Sequence, residues 1–219
     1  MSLYMKRLAM PKTWPLPKKG CKYVMKPLAG KSLNFCMPAT IILRELLGVA
    51  KTSKEVKQIM QDKGILVNNK VINDKAYPIA FFDIVSLPKI SKFYRINLNE
   101  NGRLCLEEIT EKNAFKKYYK IISKTALKKN RIQINFQDGN LIAEKNFAGK
   151  VNDCVVMDTQ NKKIIKILPF EEKQFVIITG GKHVGDRGII EKIENNAITI
   201  RAESGKLKTI KKNLFICEK

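Results

Sequence analysis

The sequence predicts an α+β chain built from several small modules, and three patterns along its 219 residues carry that expectation. Apolar positions recur at helical spacing in two short runs between residues 38 and 64. Short runs of alternating apolar and polar residues fill the middle, and brief apolar segments separated by glycine, asparagine and serine close the chain. With 44% hydrophobic residues the chain can bury a core, and its length suits two or three small domains.

Residues 1–37 form the first module. Pro11, Pro15, Pro17, Pro27, Gly20 and Gly30 interrupt any period, which predicts an irregular arm anchored by Leu3, Tyr4, Leu8, Met10, Trp14, Leu16 and Tyr23. No acidic residue precedes Glu45, whereas Lys6, Arg7, Lys12, Lys18, Lys19, Lys22, Lys26, Lys31 and Arg44 are spread through the segment. A basic arm with aromatics suits a polyanion, its cations on phosphate and Trp14 or Tyr23 stacked on a base. Trp14 packed as an apolar staple on the next module is an equal alternative.

The second module is expected at 38–90. Ala39, Ile42, Leu43 and Leu46 predict a helix closed by Gly48, and Thr52 with Glu55 forms a capping box for a second helix whose buried stripe is Val56, Ile59 and Met60. Lys54, Lys57, Gln58 and Gln61 share its other face. Ile65–Val67 reads as a strand, Asn68-Asn69 as a tight turn and Phe81–Leu87 as a further strand. Two short helices on a small sheet, with Thr52, Glu55, Val56, Lys57, Ile59, Gly64, Val67, Asn68 and the Asp83-Ile84-Val85 ending, resemble the S4-type RNA-binding domain. Ser53 and Lys57 stand where such domains often carry arginine, and Lys57 lacks the guanidinium fork.

The third module, 91–169, is expected to be β-rich. Arg131–Phe136 before Asp138-Gly139 has a hairpin signature, and 118–122 reads equally as a strand or as the end of a helix begun near Glu111. Lys112, Lys116, Lys117, Lys120, Lys124, Lys128, Lys129 and Arg131 form a basic block there, read as a solvated loop and face. The fourth module, 170–219, shows strands at Phe175–Ile178, Ile189-Ile190, Ala197–Arg201 after Asn195-Asn196, Lys206–Ile210 after Ser204-Gly205, and Leu214–Ile216. That density of short strands predicts a small SH3-like barrel. The loop from Thr179 to Ile190, holding Gly180, Gly181, Lys182, His183, Gly185, Arg187 and Gly188, resembles a KOW motif. It lacks the Gly-Lys-Ser/Thr ending of a nucleotide-binding loop.

Charge fixes the expected partner. Forty-two Lys and Arg against 20 Asp and Glu give +22, the footprint of a nucleic-acid binder. No apolar stretch approaches bilayer length and no secretory leader is visible, which predicts a cytosolic protein. Cys21, Cys36, Cys105, Cys154 and Cys217 show no Cys-x-x-Cys spacing, so neither a disulfide framework nor a metal site is expected. His183 is the only histidine, which removes most histidine-dependent catalysis.

The order of modules, the arm segment Met5–Pro15, the Thr179–Gly188 loop, Ile41–Arg44 with Leu47-Gly48, and Tyr77-Pro78 with Asp83–Ser86 are similar to the ribosomal protein S4e family of archaea and eukaryotes. The chain stops soon after the expected barrel, which is closer to the archaeal form. The resemblance implies a structural constituent of the small ribosomal subunit, present in one copy, with no catalytic residues, cofactor, metal or small-molecule substrate. Its partners would be small-subunit rRNA and neighbouring ribosomal proteins, without a membrane or a homo-oligomer. The rRNA contacts would fall to Lys6, Arg7, Lys12, Trp14, Lys18, Lys19, Lys22, Arg44, Lys51, Thr52, Ser53, Lys54, Lys57, Gly181, Lys182, His183 and Arg187. The rival readings are an RNA-modifying enzyme with an S4-type domain and a ribosome-associated factor. Gly102–Cys105 echoes a pseudouridine-synthase motif, but Cys105 replaces the aspartate that such an enzyme needs.

Overall fold

The computed structural model of the chain describes residues 3–128, 131–138, 141–144, 147–161, 163–194, 197–202 and 205–218, with backbone alone over 141–144. It divides into two compact units, Met1–Asn97 with Arg103–Lys117, and Leu98–Gly102 with Tyr118–Lys219.

In the first unit the arm carries more regular structure than its prolines predict. Strand β1 (Tyr4–Lys6) pairs antiparallel with β2 (Tyr23–Met25), placing Tyr4 opposite Met25 and Lys6 opposite Tyr23. Arg7 closes the intervening loop by donating from Nη1 to the carbonyls of Pro17 (2.6 Å) and Lys19 (3.2 Å). Trp14 is 1% exposed and its indole N–H donates to the Cys36 carbonyl at 2.9 Å, so the staple reading of this residue is the one that holds.

Strand β3 (Cys36–Pro38) leads into helix α1 (Ala39–Ile41), which widens into a π turn over Ile42–Leu46 and stops at Gly48, whose φ is +64°. Helix α2 (Ser53–Gln61) is capped as its sequence predicts. The Glu55 N–H donates to Thr52 Oγ1 at 3.3 Å, and the Lys51 N–H donates to the Glu55 carboxylate at 2.7 Å. The Lys51 amide foremost, and then the Thr52 hydroxyl donating to the same carboxylate at 2.9 Å, hold the Glu55 carboxyl below its ordinary pKa. Val56 and Met60 are buried.

Strands β4 (Leu66–Val67) and β5 (Lys70–Val71) are joined by Asn68 and Asn69, both at positive φ, the geometry of a tight hairpin turn. They are followed by β6 (Pro78–Ala80), β7 (Ile84–Leu87), β8 (Lys92–Leu98) and β9 (Leu104–Ile109). Strand β6 pairs with β3, and the sheet order is β5-β4-β7-β8-β9. The expected strand Phe81–Leu87 is therefore shorter, starting at Ile84. Phe82 sits at φ +63° in a turn where the Asp83 carboxylate accepts the Ala80 N–H at 2.6 Å, which breaks the ladder.

In the second unit, β10 (Lys116–Leu127), which enters this unit at Tyr118, settles the open reading of 118–122 as strand. It joins β11 (Arg131–Phe136), β12 (Leu141–Glu144), β13 (Cys154–Asp158) and β14 (Ile164–Leu168) in the order β12-β11-β10-β13-β14, over a core of Ile121, Ile134, Phe136, Phe147, Val155 and Met157. The predicted hairpin is present as the β11–β12 ladder, although Gly139 lies outside the described residues. Strands β15 (Phe175–Ile178), β16 (Arg187–Ile193), β17 (Ile198–Ala202), β18 (Gly205–Thr209) and β19 (Leu214–Ile216) form an antiparallel sheet in the order β18-β17-β16-β15-β19. Of the expected turns, Asn195, Asn196 and Ser204 also lie outside the described residues. The fold is thus α+β and mostly strand.

The basic block from Lys112 to Arg131 is not uniformly solvated. Lys117 is 1% and Lys120 5% exposed. Lys120 Nζ donates to the carbonyls of Lys211, Lys212 and Leu214 at 2.9, 2.9 and 2.6 Å, tying β10 to the turn before β19. Burial pushes its pKa down to about 8. In an NMR titration of the lysine side chains, Lys120 should lose its proton near pH 8, well before the surface lysines. Titration at the ordinary lysine value would show that the three carbonyls outweigh desolvation.

Candidate nucleic-acid interface

The cations of the arm and of α2 are presented to solvent by the local folding rules just described. Lys6 lies at the end of β1, Lys18, Lys19 and Lys22 follow the Arg7 clamp, and Lys54 and Lys57 project from α2 because Val56 and Met60 take its inner face. Lys6, Lys12, Lys18, Lys19, Lys22, Arg44, Lys51, Thr52, Lys54 and Lys57 are exposed, and Ser53 is half-buried. Only Glu45 and Glu55 supply negative charge between residues 3 and 57, and each is engaged: Glu45 lies 3.5 Å from Arg44, and Glu55 caps α2. The surface is therefore a field of cations with few compensating carboxylates, the condition for phosphate affinity.

Two residues named from the sequence also serve the fold. Trp14 is core, and Arg7 is fixed to backbone carbonyls. Tyr23, 55% exposed and with Lys22 Nζ 5.6 Å from its ring centroid, is an aromatic left open in the arm, as is Tyr4 at 50%. Arg7, Arg44 and Ser53 are brought together around one pocket with Tyr4 and Tyr23.

Asp83 and its partners form a group that sequence reasoning missed. Its carboxylate is fully buried and receives Lys117 Nζ (2.7 Å), Lys31 Nζ, Asn68 Nδ2 (2.9 Å) and the Ala80 N–H (2.6 Å). Burial pushes the carboxyl up, but Lys117 and Lys31, helped by those two donors, outweigh it and hold it well below the usual carboxylate range. The signal was an aspartate inside the apolar run Ile79–Val85, where an acid is tolerated only if paired. Beside it, burial raises the Cys36 thiol to about 11.

In the second unit, Gly181 and Lys182 are exposed, Arg187 opens β16, and His183 Nδ1 lies 3.6 Å from Asp186. The glycines of this loop serve close backbone approach within the fold. A Cβ on Gly185 would lie 1.9 Å from the Asn99 carbonyl oxygen, and one on Gly188 would lie 2.5 Å from that of Arg201. Gly181, at φ +98° with a side-chain atom of Asn213 at 3.5 Å, is the freer one. Among the described residues no cluster of His, Cys, Asp and Glu could hold a metal ion, and no helix is long and apolar enough to cross a membrane.

A cation-bearing unit of short helices on a small sheet, together with a second unit built of strands, defines a protein whose surface suits a polyanion. The model of Ribosomal family S4e matches residues 90–164, and that of the S4 domain matches residues 42–85. The chain is 33% identical to the small ribosomal subunit protein eS4 of Archaeoglobus fulgidus, over 100% of this chain and 94% of that relative. It is 36% identical to that of Nanoarchaeum equitans over 88% of this chain and 85% of that one. The crystal structure of the 30S ribosomal protein S4e from Thermoplasma acidophilum superposes with a TM-score of 0.70 at 27% identity, covering 83% of this chain and 94% of that one. The chain belongs to the ribosomal protein S4e family.

Proposed function

We propose that the chain is a structural constituent of the small ribosomal subunit, cytoplasmic and without catalytic activity, that binds rRNA. The observation that carries this reading is the exposed cation set of the arm and α2, facing solvent with both local carboxylates already engaged. Membership of the S4e family supports it. The proposed modules are the arm 1–37, the S4-type domain 38–90, the β-rich domain 91–169 and a KOW-type SH3-like barrel 170–219 built on the β15–β19 sheet. The rRNA contacts fall to Lys6, Lys12, Lys18, Lys19, Lys22, Arg44, Lys51, Lys54 and Lys57, with Thr52 and Ser53 at the start of α2. The loop Gly181, Lys182, His183 and Arg187 gives a second contact. Neighbouring ribosomal proteins complete the environment of a single copy.

Linked modules bind multivalently, and A-form RNA hides its base edges, so recognition is led by shape and backbone. If roughly 8 phosphates are neutralised, log affinity for small-subunit rRNA falls with log salt at a slope of about −7. Filter binding of the full chain across a salt series measures it. A slope near zero would overturn the reading.

A further inference from the structure

We propose that the pocket between the arm and the start of the helices takes one unstacked pyrimidine base of single-stranded rRNA, with Tyr23 as the stacking surface. The proposal rests on the rRNA-binding reading above and names what this part of the surface holds. The pocket has a volume of about 130 Å³, and its chemistry is supplied by Tyr4, Arg7, Tyr23, Arg44, Glu45 and Ser53.

Size decides first. Drug-sized ligands need roughly 300 Å³ or more, whereas a cavity of about 150 Å³ accepts a single benzene ring. The room is therefore that of one ring, not of a purine with its sugar. Charge decides next. A phosphate would meet the Glu45 carboxylate, which lies in the same wall 3.5 Å from Arg44. A neutral base edge matches both groups, because a pyrimidine offers carbonyl acceptors to Arg44 and, in cytosine, an amino donor to Glu45. The rim supplies the rest. Tyr4 and Tyr23 are 50% and 55% exposed, and the β1–β2 register puts them diagonally on one face of the ladder. Lys6, opposite Tyr23, and Lys22, over its ring, lie within reach of the flanking phosphates. Arg7 is pinned to Pro17 and Lys19, so the arm wall of the pocket is shaped before any ligand arrives.

The test is zero-length ultraviolet crosslinking of the full chain to small-subunit rRNA, with the adducts mapped by mass spectrometry, alongside filter binding. A uridine or cytidine adduct is expected on the peptide carrying Tyr23. Tyr23→Ala should weaken binding about tenfold with an unchanged salt slope, since stacking releases no counterions, while Tyr23→Phe keeps wild-type affinity. Adducts elsewhere with none at Tyr4 or Tyr23, and full affinity in Tyr23→Ala, would overturn the pocket and leave the rRNA reading standing. A purine adduct at Tyr23 would overturn the single-ring assignment. In assembled subunits, a crosslink from Tyr23 to a neighbouring protein in place of RNA would overturn it too. Absence of any rRNA binding would remove the function on which the pocket depends.

Discussion

Asp83→Ala should cost about 3 to 5 kcal/mol, because it removes a carboxylate partner from two buried ammonium groups at once. Lys117 has 1% and Lys31 12% of its side chain exposed, so neither can recover its hydration without breaking the packing around it. The Asn68 side chain and the Ala80 N–H lose their acceptor as well, which unfastens the turn before β7. In this unit a loss of that size lowers the thermal midpoint by roughly 10 °C or more. Differential scanning calorimetry with hydrogen exchange over β7 and the arm measures it. A shift of a degree or two would show that the lysines relax into solvent and that the cluster does not hold the arm to the sheet.

The same cluster fixes the direction of an acid effect. The folded Asp83 carboxyl ionises more readily than the unfolded one, whose pKa is about 3.9, so the unfolded chain binds the proton better as pH falls. Its contribution is fully present above that unfolded value and is lost as the pH drops below it. Asp83→Asn, which cannot titrate, should be less stable at neutral pH and should have a flatter stability profile in that acid range. Parallel profiles would contradict the assignment.

Gly185→Ala is the second large effect, at about 4 kcal/mol, adding steric overlap to a backbone strained for any side chain. The new Cβ would sit 1.9 Å from the Asn99 carbonyl oxygen and 2.8 Å from its carbon, with φ at +99°, and both atoms are backbone. The turn at 98–102 and the loop at 180–188 would have to part. Gly205→Ala is the control: φ is +117° but nothing lies within 4 Å, so strain alone, about 1 kcal/mol, is expected. Chemical denaturation of both variants compares them, and equal costs would contradict the close-approach account.

Local features were legible in the sequence because their causes are local. Thr52 and Glu55 cap α2 through groups three residues apart, and Asn68-Asn69 turns because asparagine tolerates positive φ. The β15–β19 segments follow their apolar runs closely. What was not legible depends on partners distant in sequence. Phe81–Leu87 looks like one strand until Asp83 takes the Ala80 N–H and two lysines from 34 and 52 positions away. Lys117 and Lys120 carry the polar sign of a solvent face, yet one finds a buried carboxylate and the other a nest of carbonyls. In the candidate interface, the charge of the arm was readable from composition. The division of labour between Trp14 inside and Tyr23 outside was not, since both are aromatics in an irregular segment.

The most direct test of the central claim is quantitative mass spectrometry of small ribosomal subunits washed in high salt, counting copies of this chain per particle. One copy per subunit is the predicted result, because many phosphate contacts and several linked modules must release together for the chain to leave. Trace amounts in particles that retain their other proteins would contradict it and make the chain a transient factor.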